Sequence, residues 1–180
     1  MGTKIYCDTN TLVPNMSDKP AELESFKQLW ELHQAGKCLM QRSNIVRAEL
    51  ERTANVDQRE RLKAAYDLLE PVPANEKLLI VRPVYGPQGW QGNVPVFADV
   101  QDQKIFGEIF EQAKSRLPRE PELNTRRDAQ HLAQAIHNGC DVFLTCDRKT
   151  IIEPLGKWLE ERFPPLKIRL PSQIIAEIKA

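Results

Sequence analysis

Short, largely apolar runs that stop on a carboxylate most constrain what this chain can fold into. Ile5-Tyr6-Cys7 ends on Asp8, and near the other end Val142-Phe143-Leu144-Thr145-Cys146 ends on Asp147. Runs this short and apolar read as buried strands, and helical patterns separate them along the chain. Strands alternating with helices imply an α/β fold, with a central, mostly parallel sheet flanked by helices on both faces.

The other elements follow from periodicity and punctuation. Lys4–Cys7 is the first strand, followed by a loop over Pro14–Lys19. Pro20–Ala35 makes an amphipathic helix with Leu23, Phe26, Leu29, Trp30 and Leu32 on one face, Pro20 in its first turn and Gly36 at its carboxyl-terminal cap. Cys38–Gln41 is a second strand, and Ser43 or Asn44 caps a helix through Glu49 to about Arg52. Val56–Leu69 is helical up to the prolines at 71 and 73. Leu78–Val81 is an apolar run without a clear assignment, and the Pro- and Gly-rich stretch Pro83–Gly92 reads as a loop. A helix covers Asp99–Arg116, and another, capped by Asn124 or Thr125, runs to Gly139. Val142–Thr145 is a strand, Pro154–Arg162 a helix, Lys167–Leu170 the last strand, and a short helix follows Pro171-Ser172. Residues 1–180 thus read as one domain, with residues 83–98 as the candidate insertion.

With 25 basic and 25 acidic residues the formal net charge is zero. No global field draws the chain to nucleic acid, so any such binding needs a local patch. Cys7, Cys38, Cys140 and Cys146 have no CxxC spacing and read as buried, reduced thiols rather than a zinc site. The start runs straight into a strand without a charged-then-apolar leader, and no apolar stretch nears the ~18 residues of a membrane span. A cytoplasmic protein is expected.

Two more acids join Asp8 and Asp147: Glu49 in Ala48-Glu49-Leu50, and Asp128 after Arg126-Arg127. Ligands of open α/β sheets sit beyond the carboxyl ends of the strands, where Asp8 and Asp147 fall. Glu49 follows strand two, and Asp128 is expected in the first turn of the helix that leads to the Asp147 strand. Clustered carboxylates raise one another's pKa unless a cation neutralises them, and an all-oxygen donor set suits magnesium or manganese. Singly, each acid also fits a plainer role: a turn former or cap at Asp8 and Asp147, a solvated charge at Glu49, a helix-dipole partner at Asp128.

The chain resembles the PIN-domain ribonucleases, including the VapC-like toxins of type II toxin–antitoxin modules. The resemblance lies in Tyr6-Cys7-Asp8-Thr9-Asn10, Ala48-Glu49-Leu50, Asp128-Ala129 through His131 and Ala135, and Leu144-Thr145-Cys146-Asp147, which together span nearly the whole chain. It implies a PIN-like fold and a metal-dependent endoribonuclease in which Asp8, Glu49, Asp128 and Asp147 are the catalytic, Mg2+- or Mn2+-binding residues. Asn10 and Thr145 match polar positions that orient the metal site. It further implies hydrolysis leaving a 5′-phosphate and a 3′-hydroxyl, an antitoxin partner and a homodimer. The chain departs from the compact toxins in a longer middle region, Val56 to Pro121, and in Arg148-Lys149-Thr150, where an aromatic residue is commonly expected a little later.

Arg126, Arg127, Arg148 and Lys149 flank two of the acids and are candidates for gripping RNA phosphates, with Arg42 and Arg47 behind them. Trp90 is a candidate for stacking on an unpaired base. His131, three residues past Asp128, reads as helix surface or as support for the site rather than as a ligand. Two rival readings stand beside the nuclease: a non-catalytic PIN-like module that binds RNA or protein, and a haloacid-dehalogenase-like phosphatase. The phosphatase needs a second Asp where Asn10 stands.

Overall fold

Five parallel strands in the order β3-β2-β1-β6-β7 form the central sheet of the computed structural model. They are β1 (Thr3–Cys7), β2 (Cys38–Arg42), β3 (Glu70–Pro71), β6 (Val142–Leu144) and β7 (Lys167–Arg169). The structure describes residues 2–12, 18–72, 79–86, 89–97 and 100–179, with 79–86 and 89–97 described through their backbone. The loop expected over Pro14–Lys19 therefore lies largely outside the described residues.

Side chains alternate across the sheet, as the pleat requires. Ile5, Cys7, Met40, Val142 and Leu144 face one core. It is closed by α1 (Pro20–Gln34), α2 (Asn44–Leu50), α3 (Val56–Asp67) and α7 (Pro171–Lys179). Tyr6, Phe143 and Ile168 face the other, beneath α4 (Val100–Arg116), α5 (Glu122–His137) and α6 (Lys157–Arg162). Tyr6 and Phe143 stack across neighbouring strands at 5.4 Å between ring centroids. The expected face of α1 does meet the core: Phe26 and Leu29 are buried, and Leu23, Trp30 and Leu32 pack partly against the same cluster. Gly36 and Gly139 end α1 and α5 with φ of 69° and 60°, a left-handed turn that disfavours any residue with a Cβ. All four cysteines are buried free thiols.

Several boundaries differ from the sequence reading. Helix α5 starts at Glu122, directly after Pro121, so Asp128 stands in its second turn, not its first. A pairing of Asp128 with the helix dipole therefore has no basis, since that effect fades beyond the first turn. The helix expected from Pro154 begins at Arg148 as a wide π-type segment, Arg148–Gly156, with Pro154 inside it. The Ile152 amide donates to the Asp147 carbonyl at 3.0 Å, the five-residue spacing of such a turn. Ser43 precedes α2 without capping it through its side chain.

The stretch read as a loop around Trp90 is a β-hairpin. Strands β4 (Leu79–Gly86) and β5 (Gly89–Phe97) pair antiparallel, with Tyr85 opposite Trp90 and a register shift at Val84/Tyr85. Its Gly and Pro content hid the strand pattern, yet a two-stranded ribbon has only edges, where proline and bulges are tolerated.

Leu29→Ala empties a fully buried position and is expected to lower unfolding free energy by about 2–5 kcal/mol in denaturant titrations. Leu68→Ala, at a side chain 64% exposed, is expected to change it by less than about 0.5 kcal/mol.

Candidate metal centre

The register of β1 against β6 assembles the rim. Cys7 pairs with Leu144, and the next amide, of Asp8, donates to the Leu144 carbonyl at 3.1 Å. Both strands therefore end together, and Asp8 meets Thr145 and Asn10 at one edge. Asp8 Oδ1 accepts from the Thr9 amide at 2.7 Å, and Oδ2 accepts from Asn10 Nδ2 at 2.7 Å and from Thr145 Oγ1 at 2.8 Å. Asn10 closes the link by accepting from the Cys146 amide at 2.7 Å through Oδ1. The Asp147 amide donates to Thr145 Oγ1 at 3.1 Å. Asn10 and Thr145 thus hold the ends of both strands as well as the Asp8 carboxylate.

Glu49 reaches the rim from α2. Its Oε2 accepts from Thr9 Oγ1 in a short hydrogen bond and lies 3.2 Å from His131 Nε2. That nitrogen is near enough for an ion pair, though its N–H does not align as a hydrogen bond. His131 is itself buried, at 2% exposure, rather than on the helix surface. Its Nδ1 meets the Tyr6 hydroxyl at 2.9 Å, and that hydroxyl meets Ser43 Oγ at 2.5 Å. A polar chain therefore runs from Ser43 through Tyr6 and His131 to Glu49. The hydroxyl that helix capping leaves unused is spent inside the core.

Asp147 caps the turn that follows it, accepting from the Thr150 amide at 2.9 Å and from Thr150 Oγ1 at 2.6 Å. The same hydroxyl stands 3.5 Å from Asp128 Oδ2, which links the last two acids.

The acids act on one another through space. Burial, then the neighbouring Asp8, push the Asp128 carboxyl up to about 7; His131 opposes this, and Asp147 and Glu49 add to it. Burial also raises Asp8, against the pull of His131 and the Thr145 hydrogen bond. Burial works on Glu49 in the same direction, but His131, Thr9 and Arg127 together hold it down at about 2. His131 is raised: burial disfavours its charged form, and Glu49, Asp8 and Asp128 outweigh that effect.

The four acids line one rim without converging. Among the described residues, no group of three or more His, Cys, Asp or Glu side chains is placed to hold a metal ion. Both oxygens of Asp8 and of Asp147 are turned toward protein donors instead. The donor set still fits a hard divalent cation in its chemistry: all oxygen, and with neighbouring negative charge that adds to burial in raising Asp128.

The basic candidates diverge. Arg126 lies over the Phe110 ring at 5.0 Å and 3.5 Å from Glu122, against α4. Arg127 acts on Glu49 electrostatically. Arg148 and Lys149 line a cleft beside Asn10 and Asp147. The Trp90 side chain lies outside the described residues. Sequence reasoning passed over Thr9 and Thr150, although each stands within three residues of an acid; of its two readings for His131, the contact with Glu49 fits support for the site and burial rules out helix surface.

No protein-family model matches the chain, and no curated protein matches it. Among solved structures the chain is similar to one in the crystal structure of VapBC2 from Rickettsia felis bound to a DNA fragment from their promoter. That likeness has a TM-score of 0.52 and 16% identity over 93% of this chain and 98% of the other. At this identity it shows the fold, a mostly parallel PIN-like α/β topology.

In metal-free protein, Asp8, Asp128 and His131 have pKa values above their unfolded ones. Their stabilising contribution is present at low pH and is lost as pH rises through the folded values. The Glu49 contribution runs oppositely and is complete above its unfolded pKa. Thermal melts in EDTA are expected to show stability falling from about pH 4.5 to about pH 7.5. Asp128→Asn is expected to flatten this slope and to melt above the wild type at the upper end.

Proposed function

We propose that this chain is a metal-dependent endoribonuclease hydrolysing RNA phosphodiester bonds at the acidic rim, with Asp8, Glu49, Asp128 and Asp147 holding Mg2+ or Mn2+. The observation that carries this reading is the gathering of Asp8, Asp147 and Asp128 around the Thr145 and Thr150 hydroxyls at the carboxyl ends of parallel strands; burial, with the neighbouring acids behind it, lifts Asp128 to about 7. Such an ion, when bound, supplies Lewis acidity to a water and to the phosphoryl oxygens. Asp8, Glu49 and Asp128 would hold it, with Asp147 directly or through water.

The protein's own groups divide the remaining work. Asn10, Thr145 and the Thr9 amide fix the Asp8 carboxylate, and Thr9 and His131 fix one Glu49 oxygen. Asp128 carries a proton near neutrality in the metal-free protein and releases it when positive charge arrives. Arg127, Arg148 and Lys149 are the better-placed cations for RNA phosphates, while Arg126 is engaged on α4. Trp90 is proposed to stack on a base from the hairpin, and the hairpin itself is proposed as an insertion in a single domain. No helix among the described residues is long and apolar enough to cross a membrane.

A toxin role, with an antitoxin as protein partner and a homodimer as the working unit, is proposed on the likeness to a chain of VapBC2. The rival phosphatase has no general acid, because Asn10 occupies that position and is committed to Asp8 and Cys146. The non-catalytic module is favoured by one observation, that no three potential ligands converge among the described residues.

With a broad RNA panel and Mn2+, the wild type is expected to cut and to leave 5′-phosphates that support ligation. Asp8→Asn and Asp128→Asn are each expected to lower the rate at least about 100-fold, as removing a central charge-stabilising group does. Calorimetry with Mn2+ is expected to show binding to the wild type that Asp8→Asn weakens at least about 10-fold. Equal binding by both proteins, or none by either, would favour the non-catalytic module.

A further inference from the structure

Beside the acidic rim lies a cleft of about 510 Å3, within the range of small-ligand sites. Lys19 and Glu22 enter it from the start of α1, and Arg148 and Lys149 from the segment after β6; the buried Cys146 and Leu170 form its inner wall. Asn10 and Asp147 belong to both the cleft and the rim, so the two spaces share a wall. The rim is acidic, whereas the cleft carries three cations against two carboxylates.

The two carboxylates are already engaged. Glu22 accepts from the Ser172 amide and from Ser172 Oγ, each at 3.0 Å, and Asp147 is held by Thr150. Arg148 stands 3.8 Å from Glu22 and 59% exposed, a loose pairing that leaves its guanidinium over the cleft.

We propose that this cleft seats one unpaired nucleotide, its phosphate held by Lys19, Arg148 and Lys149 and its base laid against Cys146 and Leu170. The assignment rests on the ribonuclease reading in taking that nucleotide as the neighbour of the cleaved bond. A volume of about 510 Å3 suits one nucleotide whose base has left its stack and its pair to lie on Cys146 and Leu170. Through the shared wall the strand runs between a cationic subsite that binds phosphate and an acidic rim that requires a cation to receive it.

The test is fluorescence anisotropy of a labelled, mixed-sequence RNA hexamer in EDTA, titrated at several salt concentrations. Lys19→Gln and Lys149→Gln are each expected to weaken binding about 3–10-fold and to reduce the salt slope by about 0.7. Lys157→Gln removes the same charge from a side chain 89% exposed on α6 and is expected to change neither. The hexamer annealed to its complement is expected to bind at least about 10-fold more weakly. The cleft is the wrong site if its variants behave like Lys157→Gln, if the duplex binds as tightly, or if no hexamer binds. Cleavage in Mn2+ with hexamer binding insensitive to Lys19 and Lys149 would overturn the cleft and leave the nuclease. Cleft-dependent binding without cleavage would do the reverse.

Discussion

The in-register parallel pairing of β1 with β6 is the constraint on which the rim depends. Ile5, Tyr6 and Cys7 lie opposite Val142, Phe143 and Leu144, so both strands run out at one level. Asp8, Asn10, Thr145 and the Cys146 amide then fall within hydrogen-bonding reach. A slip of one residue would send Tyr6 to the face of Ile5 and turn Asp8 from the rim, because side chains alternate with a period of two. Two cores, one on each face of the sheet, oppose such a slip.

On that frame, similar carboxyl groups take opposite characters. Glu49 stays ionised because His131, Thr9 and Arg127 outweigh burial, while Asp128 meets burial and three other acids and holds its proton to about 7. Environments that push like groups apart mark sites where protons and charges are managed. The Ser43–Tyr6–His131 chain behind Glu49 places polar atoms in the interior, where each is costly unless partnered. That chain and the acidic rim are two ends of one arrangement: a buried imidazole, held by core hydroxyls, faces a carboxylate at the edge.

Much of the fold was legible because its signals are local. The apolar runs at Ile5–Cys7 and Val142–Leu144, the α1 face from Leu23 to Leu32 and the stop at Gly36 all arise from neighbours in sequence. Three readings fell short where distant residues decide. A cap at Asn124 or Thr125 fits the local pattern, yet α5 begins directly after Pro121, which moves Asp128 into the second turn. For His131, helix surface and support for the site stayed equally open in the sequence, because the partners that exclude the first, Tyr6 and Glu49, lie far away in the chain. The hairpin around Trp90 was hidden by glycines and prolines that a central strand would reject and a two-stranded ribbon tolerates.

The amino-acid sequence alone determined the alternation of strands and helices, and with it the class of sheet and the edge where Asp8 and Asp147 emerge. Those follow from apolar periodicity and from where carboxylates interrupt it. Only the tertiary structure decided how the acids differ, which donors hold them, and that a cationic cleft from α1 and the segment after β6 adjoins them. Burial and Coulomb interactions act through space, between residues more than a hundred positions apart such as Asp8 and Thr145. No local pattern encodes them.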